Sequence, residues 1–530
     1  MKLITTVIFV ILLGQYSLAN LVPKEIRRRA DIADHRVHTE ENIELGTPKQ
    51  LKREGENKND FWLDIAKTFV DAQLTKRVNT NRAKNVIFFL ADGMSVATYS
   101  AARVAKGGEE ESLSFENFPY MGMVRTYCVD YQVPDSACTS TAYLNGVKAN
   151  YGTVGVSAKV PRYDCTAQLD PSTHTESILK WALDSNKSAG IVTTDVVTGA
   201  SPSGGYAHSA NRYWENDVDV LADGCDPDII DDISKQLIRG DVGSRLHVIL
   251  GGGRAEMRNT TFVDEEGSAG YRTDGLDLIQ EYQDVKSHLR SRYVWNATDF
   301  RSINPNDVDY LLGLFESSTM QYNRDVVESG DEDKEPTLAE MTEKAIDILS
   351  KNENGYFLFV EGQKIDSAHH SNYARLSLDE TLEFSKAVEL ARNKVNEEDT
   401  LIVVTSDHSH TVSYNGYGTR GTDIFNPAER SNIDGKPYMK LMYANGPGYP
   451  NHMSAAERTR IDLSKIDTTS DRFRSPAGLL VSSETHAGED VAVFASGPWS
   501  HLFSGVYEQH VLTHLMAYAS CLGDGSHSCT

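Results

Sequence analysis

The sequence predicts an α/β protein built on a doubly wound, mostly parallel central sheet with helices on both faces. The first observation is a recurring pattern in which a continuous apolar run ends in an acid or a glycine, as expected of buried parallel strands. The second is that segments with helical apolar spacing lie between these runs. Ligands of such a sheet bind outside the carboxyl ends of its strands, so polar residues at those ends are expected to converge.

Five segments carry the strand pattern: 85–93, 189–195, 246–251, 356–361 and 401–408. Four residues with ligand chemistry lie at the ends of three of them, namely Asp92, Glu361, Asp407 and His408. A single acid at a strand end is as often the N-cap of the following helix. Three such ends in one chain favour a metal site instead.

Two of the intervening helices have recognisable starts. Thr337 with Glu340, and Ser377 with Glu380, have the spacing of capping boxes. They predict helices over 338–349 and 378–395.

Further candidate ligands lie in histidine-rich segments. Asp366 and His370 are four positions apart, which places them on one face of a helix, and His486 lies in a third such segment. We interpret His369 and His410 as supporting residues, because adjacent or alternating histidines seldom all reach one ion. Carboxylate and imidazole ligands without thiolates favour catalytic Zn²⁺, and a carboxylate-only subset favours Mg²⁺.

The candidate nucleophile is Ser136, which follows Asp135 in a stretch of small residues. A serine hydroxyl needs an adjacent base or a metal ion to become nucleophilic at neutral pH. No G-x-S-x-G elbow surrounds it, so metal activation is the favoured hypothesis.

The composition narrows the class of partner. A formal net charge of −24 disfavours binding to nucleic acid or to an anionic membrane. An anionic substrate would need local positive charge, which bound dications would supply.

The N-terminal region predicts export. Residues 1–19 have the pattern of a secretory signal peptide, 20–57 a flexible charged leader, and 58–84 a helical arm that packs on another surface. Sequons begin at Asn186, Asn259 and Asn296, so a secreted glycoprotein is expected. Six cysteines allow 15 full pairings, which the sequence alone leaves open.

Taken together, these residues resemble the animal alkaline phosphatases, in particular a secreted, soluble enzyme of invertebrate type. The resemblance covers about residues 60–530. Its motifs are 90–94, 133–137, 200–202, 208–212, 361–370, 406–410 and 484–493.

The resemblance implies hydrolysis of phosphate monoesters through a phosphoserine on Ser136, with two zinc ions and one magnesium ion. One zinc would be held by Asp366, His370 and His486, and the other by Asp92, Asp407, His408 and Ser136. Magnesium would be held by Asp92, Ser201 and Glu361. Arg212 would clamp the phosphate and Asp135 would orient Arg212.

It also implies a calcium site at Phe315, through its carbonyl, with Glu316 and Glu335, completed by Glu265 or Glu266. A solvated acidic face is the alternative reading of these acids.

The implied organisation is a catalytic core at 85–410, an inserted crown subdomain at 411–482 and a completing segment at 483–530 with a helix over 506–521. The crown implies a homodimer. Pairing of Cys165 with Cys225 and of Cys521 with Cys529 is family-like, whereas Cys128 and Cys138 are left open. The sequence has no C-terminal apolar tail for a glycolipid anchor, so a soluble secreted protein is expected.

The chain departs from its relatives at Gly199, where a histidine or aspartate is usual, at Ser367 and at Ser483. These departures leave magnesium affinity and substrate preference open. The alternatives are a metal-dependent phosphodiesterase or a sulfatase of the same superfamily, and a non-catalytic secreted binding glycoprotein. The C/S-x-P-x-R context of a sulfatase is absent around Ser136, a phosphodiesterase need not have Arg212, and a binding protein would have lost ligands.

Overall fold

A computed structural model describes residues 53–523 of the chain. The predicted signal peptide, most of the leader and Cys529 lie outside these residues. The helices are α1 (Asn59–Thr75), α2 (Val96–Lys106), α3 (Ser136–Asn145), α4 (Ile178–Asp184), α5 (Ala200–Ser203), α6 (Asp217–Ala222), α7 (Ile233–Arg239), α8 (Arg254–Met257), α9 (Leu278–Val285), α10 (Ala297–Ser302), α11 (Asn323–Ser329), α12 (Leu338–Leu349), α13 (Lys364–His370), α14 (Ala374–Lys394) and α15 (Val511–Ser520).

The strands are β1 (Asn85–Ala91), β2 (Tyr120–Arg125), β3 (Ser188–Val196), β4 (Val248–Gly252), β5 (Ser291–Val294), β6 (Tyr310–Leu314), β7 (Tyr356–Gly362), β8 (Thr400–Thr405), β9 (Ser409–His410), β10 (Val412–Tyr414), β11 (Pro427–Arg430), β12 (Pro437–Met439), β13 (Leu441–Asn445), β14 (Ala477–Leu479), β15 (His486–Ala487), β16 (Val491–Ser496) and β17 (Gly505–Glu508).

Ten strands form one central sheet in the order β17-β2-β16-β8-β1-β7-β3-β4-β6-β5. All neighbours pair in parallel except β16, which is antiparallel to both β2 and β8. The central strand β1 pairs with β7 on one side and β8 on the other. The predicted doubly wound, mostly parallel sheet is therefore confirmed.

Helices cover both faces because alternate side chains of the buried strands point to opposite sides. On β1, Ile87 and Phe89 belong to the apolar core that includes residues of α12 and α14. Phe88 and Leu90 belong to the core on the other face, with residues of α4, α7 and α15. This two-sided burial explains why the strands read as uninterrupted apolar runs.

The predicted strands match β1, β3, β4, β7 and β8. The capping box at Thr337 and Glu340 is present at the start of α12. The second capping box is wrong, because α14 begins at Ala374 and Ser377 lies inside it. The Ser377 hydroxyl instead contacts Nε2 of His369 at 2.7 Å.

The predicted C-terminal helix is also shorter than expected. Residues Gly505–Glu508 form the edge strand β17, paired in parallel with β2, and the helix begins only at Val511. The predicted arm is helical over α1, and none of the residues of α1 is buried in this chain.

The segment 411–482 lies outside the central sheet. It contains the three-stranded sheet β10-β13-β14 and the hairpin pair β11-β12. Disulfides join Cys128 to Cys138 and Cys165 to Cys225, so the pairing left open by the sequence is resolved and the second agrees with the expectation. Among residues 53–523, no helix combines the length and apolarity needed to cross a bilayer.

Candidate active site

Three adjacent strands deliver the acids that the sequence analysis placed at strand ends. Glu361 is in register with Leu90 across the β1–β7 pair, and Asp92 directly follows the last residue of β1. Asp407 and His408 follow β8 on the other side of β1. All four side chains are almost fully buried. The parallel order of the strands therefore brings these residues to one edge of the sheet.

One group of candidate ligand atoms lies beside Ser136, the candidate nucleophile. Asp92, Asp407 and His408 each offer an atom within 4.8 Å of the others. The Ser136 hydroxyl lies 3.3 Å from Nε2 of His408, and the Gly93 amide donates to Asp407 at 3.0 Å. These contacts bring together the four residues predicted to share one zinc ion.

Ser136 is the first residue of α3, so the start of this helix positions its hydroxyl beside His408. Asp135 is the N-cap, and its Oδ1 accepts the amide of Cys138 at 3.2 Å. The N-terminal end of a helix presents unpaired amides and partial positive charge, which favour an anion there. A deprotonated serine or a phosphate group is thus stabilised at this position.

Arg212 lies beside Asp135, the N-cap of α3. Its Nη1 donates to Oδ2 of Asp135 at 3.1 Å, and its own amide donates to the carbonyl of Gly152. The Gly152 amide in turn donates to Oδ1 of Asp135 at 2.9 Å. The orienting role predicted for Asp135 has the contact that it needs.

A second group lies on α13 and β15. Oδ2 of Asp366 lies 3.3 Å from Nε2 of His370, and its Oδ1 lies 3.4 Å from Nε2 of His486. The Nε2 atoms of the two histidines are 3.1 Å apart. Burial lowers the pKa of both histidines, which keeps the imidazoles neutral and able to bind a metal ion.

Glu484, for which the sequence predicts no role, lies behind this group. Nδ1 of His410 lies 2.5 Å from Oε2 of Glu484, and Nε2 of His410 lies 2.5 Å from Oδ1 of Asp366. His410 therefore bridges Glu484 and a candidate zinc ligand. The nearness of Glu484 to His486 in the sequence was the available signal. The pairing of β15 with β9, which brings this segment to His410, was not predictable from the sequence.

His369 is turned away from the ligand groups. It contacts the hydroxyls of Thr98, Ser377 and Tyr443 at 3.0, 2.7 and 2.8 Å. Both ring nitrogens of His369 are therefore engaged by hydroxyl groups.

A third group contains Asp92, Ser201 and Glu361. Oε2 of Glu361 accepts the Thr193 hydroxyl at 2.6 Å, whereas its Oε1 and Oδ1 of Asp92 are buried and accept no hydrogen bond from the described residues. Burial and neighbouring carboxylates raise the pKa of Asp92, and burial with Asp195 raises that of Glu361 to about 8. Buried oxygens without donors are costly unless a cation binds them, so this donor set fits a dication.

The predicted calcium residues lie elsewhere, after β6. Burial and the neighbouring Glu316 raise the pKa of Glu335 to about 9, as expected of two carboxylates that share a site. The Lys334 ammonium lies 2.5 Å from Oε1 of Glu316 and 3.4 Å from Glu266. Phe315 precedes Glu316 and is buried. Of the two acids expected to complete the set, Glu266 is near it, whereas Glu265 pairs with Arg258.

The three residues at which the sequence departs from the family pattern are Ser367, Ser483 and Gly199. The Ser367 hydroxyl donates to Gln363 at 3.0 Å, and Ser483 is exposed just before Glu484. Gly199 is the N-cap of the short helix α5, which carries Ser201.

Comparisons with known proteins agree with this geometry. The alkaline phosphatase family model matches residues 83–522. The membrane-bound alkaline phosphatase of Bombyx mori is 45% identical over 515 residues, covering 94% of this chain and 92% of that protein. The human tissue-nonspecific alkaline phosphatase is 44% identical over 504 residues, covering 91% and 92%.

Solved structures show the same fold. The Thermus thermophilus alkaline phosphatase aligns with a TM-score of 0.58 at 19% identity, covering 88% of this chain and 95% of that chain. The enzyme from a psychrophilic Shewanella aligns with a TM-score of 0.56 at 22% identity, covering 82% and 99%. The match of the family model and the identity to curated relatives, both over most of the chain, show that this protein belongs to the alkaline phosphatase family.

Proposed function

We propose that this alkaline phosphatase hydrolyses phosphate monoesters with Ser136 as its nucleophile and a phosphoserine as its intermediate. The observation that carries the proposal is the position of the Ser136 hydroxyl. It lies at the N-terminus of α3, 3.3 Å from His408, between two groups of metal-binding side chains and next to Arg212.

Two displacements follow from this geometry. In the first, Oγ of Ser136 loses its proton and attacks phosphorus, a serine–phosphorus bond forms, and the bond to the substrate oxygen breaks, so that this oxygen takes up a proton and leaves as the alcohol. In the second, water loses a proton and attacks the same phosphorus, the serine–phosphorus bond breaks, Oγ of Ser136 regains a proton, and inorganic phosphate leaves. Phosphoryl transfer depends mainly on positioning and charge neutralisation. A site whose residues bind and orient the phosphoryl group fits this requirement.

The chain's own residues bind and orient the phosphoryl group. The planar guanidinium of Arg212 suits two phosphate oxygens at once. Asp135 fixes that guanidinium while capping α3, so the clamp and the nucleophile are positioned by one side chain. The partial positive charge at the start of α3 favours both the serine alkoxide and the phosphate.

Asp366, His370 and His486 would hold one zinc ion, and Asp92, Asp407 and His408 with Ser136 would hold a second. Asp92, Ser201 and Glu361 would hold magnesium. When bound, these dications supply the positive charge that favours deprotonated Ser136 and the departing oxygen of the alcohol. The unpartnered oxygens of Asp92 and Glu361 support the third position.

We also infer a calcium ion at Phe315, Glu316 and Glu335, near Glu266. The mutual effect of the two glutamates supports it, because a cation between them would relieve their repulsion. Addition of calcium to chelator-treated protein should raise the melting temperature, and Glu335→Gln should remove that shift. A shift that persists in the variant would place calcium elsewhere.

Homodimerisation and secretion complete the proposal. The crown-like segment 411–482 and the unburied helix α1 are the surfaces available for a second copy. Sedimentation at micromolar concentration tests the dimer, and a monomer would reject it. The Bombyx mori relative is named membrane-bound, so fractionation of expressing cells decides between the culture medium and the membrane pellet.

The central experiment compares hydrolysis of a chromogenic phosphate monoester, a matched diester and a sulfate ester between pH 7 and 11. Fast turnover of the monoester is expected, with loss in Ser136→Ala and after chelation, and recovery with zinc plus magnesium. Acid quenching during turnover should trap labelled phosphate on the wild type and not on Ser136→Ala. Preference for the diester would instead favour a phosphodiesterase, and an inert metal-loaded protein would favour a binding glycoprotein.

A further inference from the structure

A carboxylate occupies the space that a side chain at position 199 would fill. An ideal Cβ added to Gly199 would lie 2.2 Å from Oδ2 of Asp195 and 3.0 Å from its Cγ. Non-bonded atoms do not approach this closely. A side chain at position 199 and the carboxylate of Asp195 in its present position therefore exclude each other.

Backbone conformation does not explain the glycine. Gly199 has φ −58° and ψ 165°, which residues with a side chain adopt readily. The next nearest atom to the added Cβ, the carbonyl oxygen of Val196, is 3.1 Å away and would need to move only slightly. Space for Asp195 is thus the feature that favours glycine here.

Asp195 and Glu361 both form a hydrogen bond with the Thr193 hydroxyl. The Thr193 hydroxyl donates to Oε2 of Glu361 at 2.6 Å and accepts the amide of Asp195 at 2.8 Å. Oε1 of Glu361 is buried and accepts no hydrogen bond within the described part of the chain. The Thr193 hydroxyl thus links the Glu361 carboxylate to the backbone of Asp195, beside a Glu361 oxygen that lacks a donor among the described residues.

The nearby cations are engaged with other groups. Arg212 forms its ion pair with Asp135, and the Lys364 ammonium donates to the Thr319 hydroxyl at 3.3 Å. Among residues 53–523, neither of these cations forms an ion pair with the Asp195 carboxylate. An acid that lies near other acids and has no cationic partner is stabilised by a bound dication.

We propose that Asp195 is a further anionic group of the magnesium position, and that Gly199 provides the space for its carboxylate. The inference rests on the proposed function only in taking Asp92, Ser201 and Glu361 as the magnesium position. Magnesium prefers oxygen ligands and keeps several waters, so it has room for an additional carboxylate nearby. Groups that support bound metals commonly change affinity by about 10- to 100-fold.

The test measures metal binding without turnover. Full-length protein is stripped with a chelator, reloaded with zinc, and titrated with magnesium chloride while bound magnesium and the melting temperature are recorded. Asp195→Asn should weaken magnesium binding by about tenfold or more and reduce the magnesium-dependent rise in melting temperature, with zinc content unchanged. Glu353→Gln, which changes the net charge equally at an exposed position, should bind magnesium as the wild type does.

A double-mutant cycle separates this role from general damage. Gly199→Ala should weaken magnesium binding because the new methyl displaces the carboxylate. It should have no further effect in an Asp195→Ala background, where nothing remains to displace. The cycle also serves if Asp195→Asn folds poorly.

Three results would overturn the inference: wild-type magnesium affinity in Asp195→Asn, additive losses in the cycle, or equal loss of zinc and magnesium. A metal-loaded wild type without phosphatase activity would reject the proposed function and leave the binding isotherms intact.

Discussion

Oδ2 of Asp135 lies 3.1 Å from Nη1 of Arg212, while Oδ1 of the same carboxylate caps the helix that begins with the nucleophile. A single side chain thus contacts both the start of the helix that carries Ser136, the proposed nucleophile, and Arg212, the proposed phosphate-binding group. Catalysis by proximity depends on such fixed distances, and a misplacement of about 1 Å costs on the order of 100-fold in rate.

Asp135→Asn should weaken phosphate binding more than it alters the helix cap. The amide retains an oxygen for the Cys138 and Gly152 amides, but it cannot pair with Arg212 as a charged acceptor. We expect the KM for a phosphate monoester and the inhibition constant of inorganic phosphate to rise by about tenfold, the loss of one charged hydrogen bond. Steady-state kinetics with phosphate inhibition measures both, and Arg212→Lys serves for comparison because it keeps the charge without the planar fork. An unchanged inhibition constant would show that Asp135 does not position Arg212.

Glu484→Gln should release zinc without touching a proposed ligand. The substitution removes the negative charge that holds His410 against Asp366. Zinc retention in competition with a chelator should fall by about 10- to 100-fold, read as metal content after dialysis. Glu489→Gln is the matched control, because Glu489 contacts Ser409 on the same strand as His410. Equal zinc loss in both variants would argue against a specific role for Glu484.

Removal of the Cys128–Cys138 disulfide should affect both stability and phosphate binding. Its loop spans a sequence separation of 10 and contains Asp135 and Ser136. Replacing both cysteines with serine should lower the free energy of unfolding by about 3 kcal/mol, the chain-entropy value for a loop of this length. Phosphate affinity should fall as well, since the nucleophile loop is less constrained.

The second disulfide provides the control for that prediction. Cys165 and Cys225 are separated by 60 residues, so replacing both should cost about 4 kcal/mol by the same relation. It should leave phosphate affinity unchanged in the protein that remains folded. Comparable effects of the two pairs on the inhibition constant of phosphate would contradict the local role of Cys128–Cys138.

Lys187 should make stability increase with pH above 8. Its buried ammonium donates to the carbonyls of Lys84 and Asn354, and burial lowers its pKa to about 8, against about 10.4 in an unfolded chain. Between these values the unfolded state binds more protons, so the contribution of this residue to stability rises with pH and is complete near pH 10.5. Unfolding in urea at pH 8 and 10 should show a smaller gain for Lys187→Met than for the wild type. The exposed Lys465→Met should gain as the wild type does, and equal gains in all three proteins would contradict the assignment.

The sequence predicted those parts of the fold that depend on local patterns. The apolar runs ending at Asp92, Glu361 and Asp407 predicted the parallel sheet, because burial on two faces requires such runs. They also predicted that these three acids lie at one edge of the sheet. The start of α14 was wrong, since the Ser377 hydroxyl is used by His369 and not as a cap. Contacts made only in three dimensions, such as Glu484 with His410 and Asp195 with Gly199, leave no periodic signal in one sequence.

The pairing of β1 with β7 and β8 also constrains how the protein folds. Gly93 and Asp407 meet through a hydrogen bond across a separation of 314 residues, and strands from distant parts of the chain must pair before these ligand groups form. Contacts of such long range form slowly, because the entropy of closing large loops is lost first. Metal uptake during refolding is therefore expected to lag behind the appearance of secondary structure. Ions that bind only after the central strands have assembled would then stabilise the folded state, because they do not bind the unfolded chain.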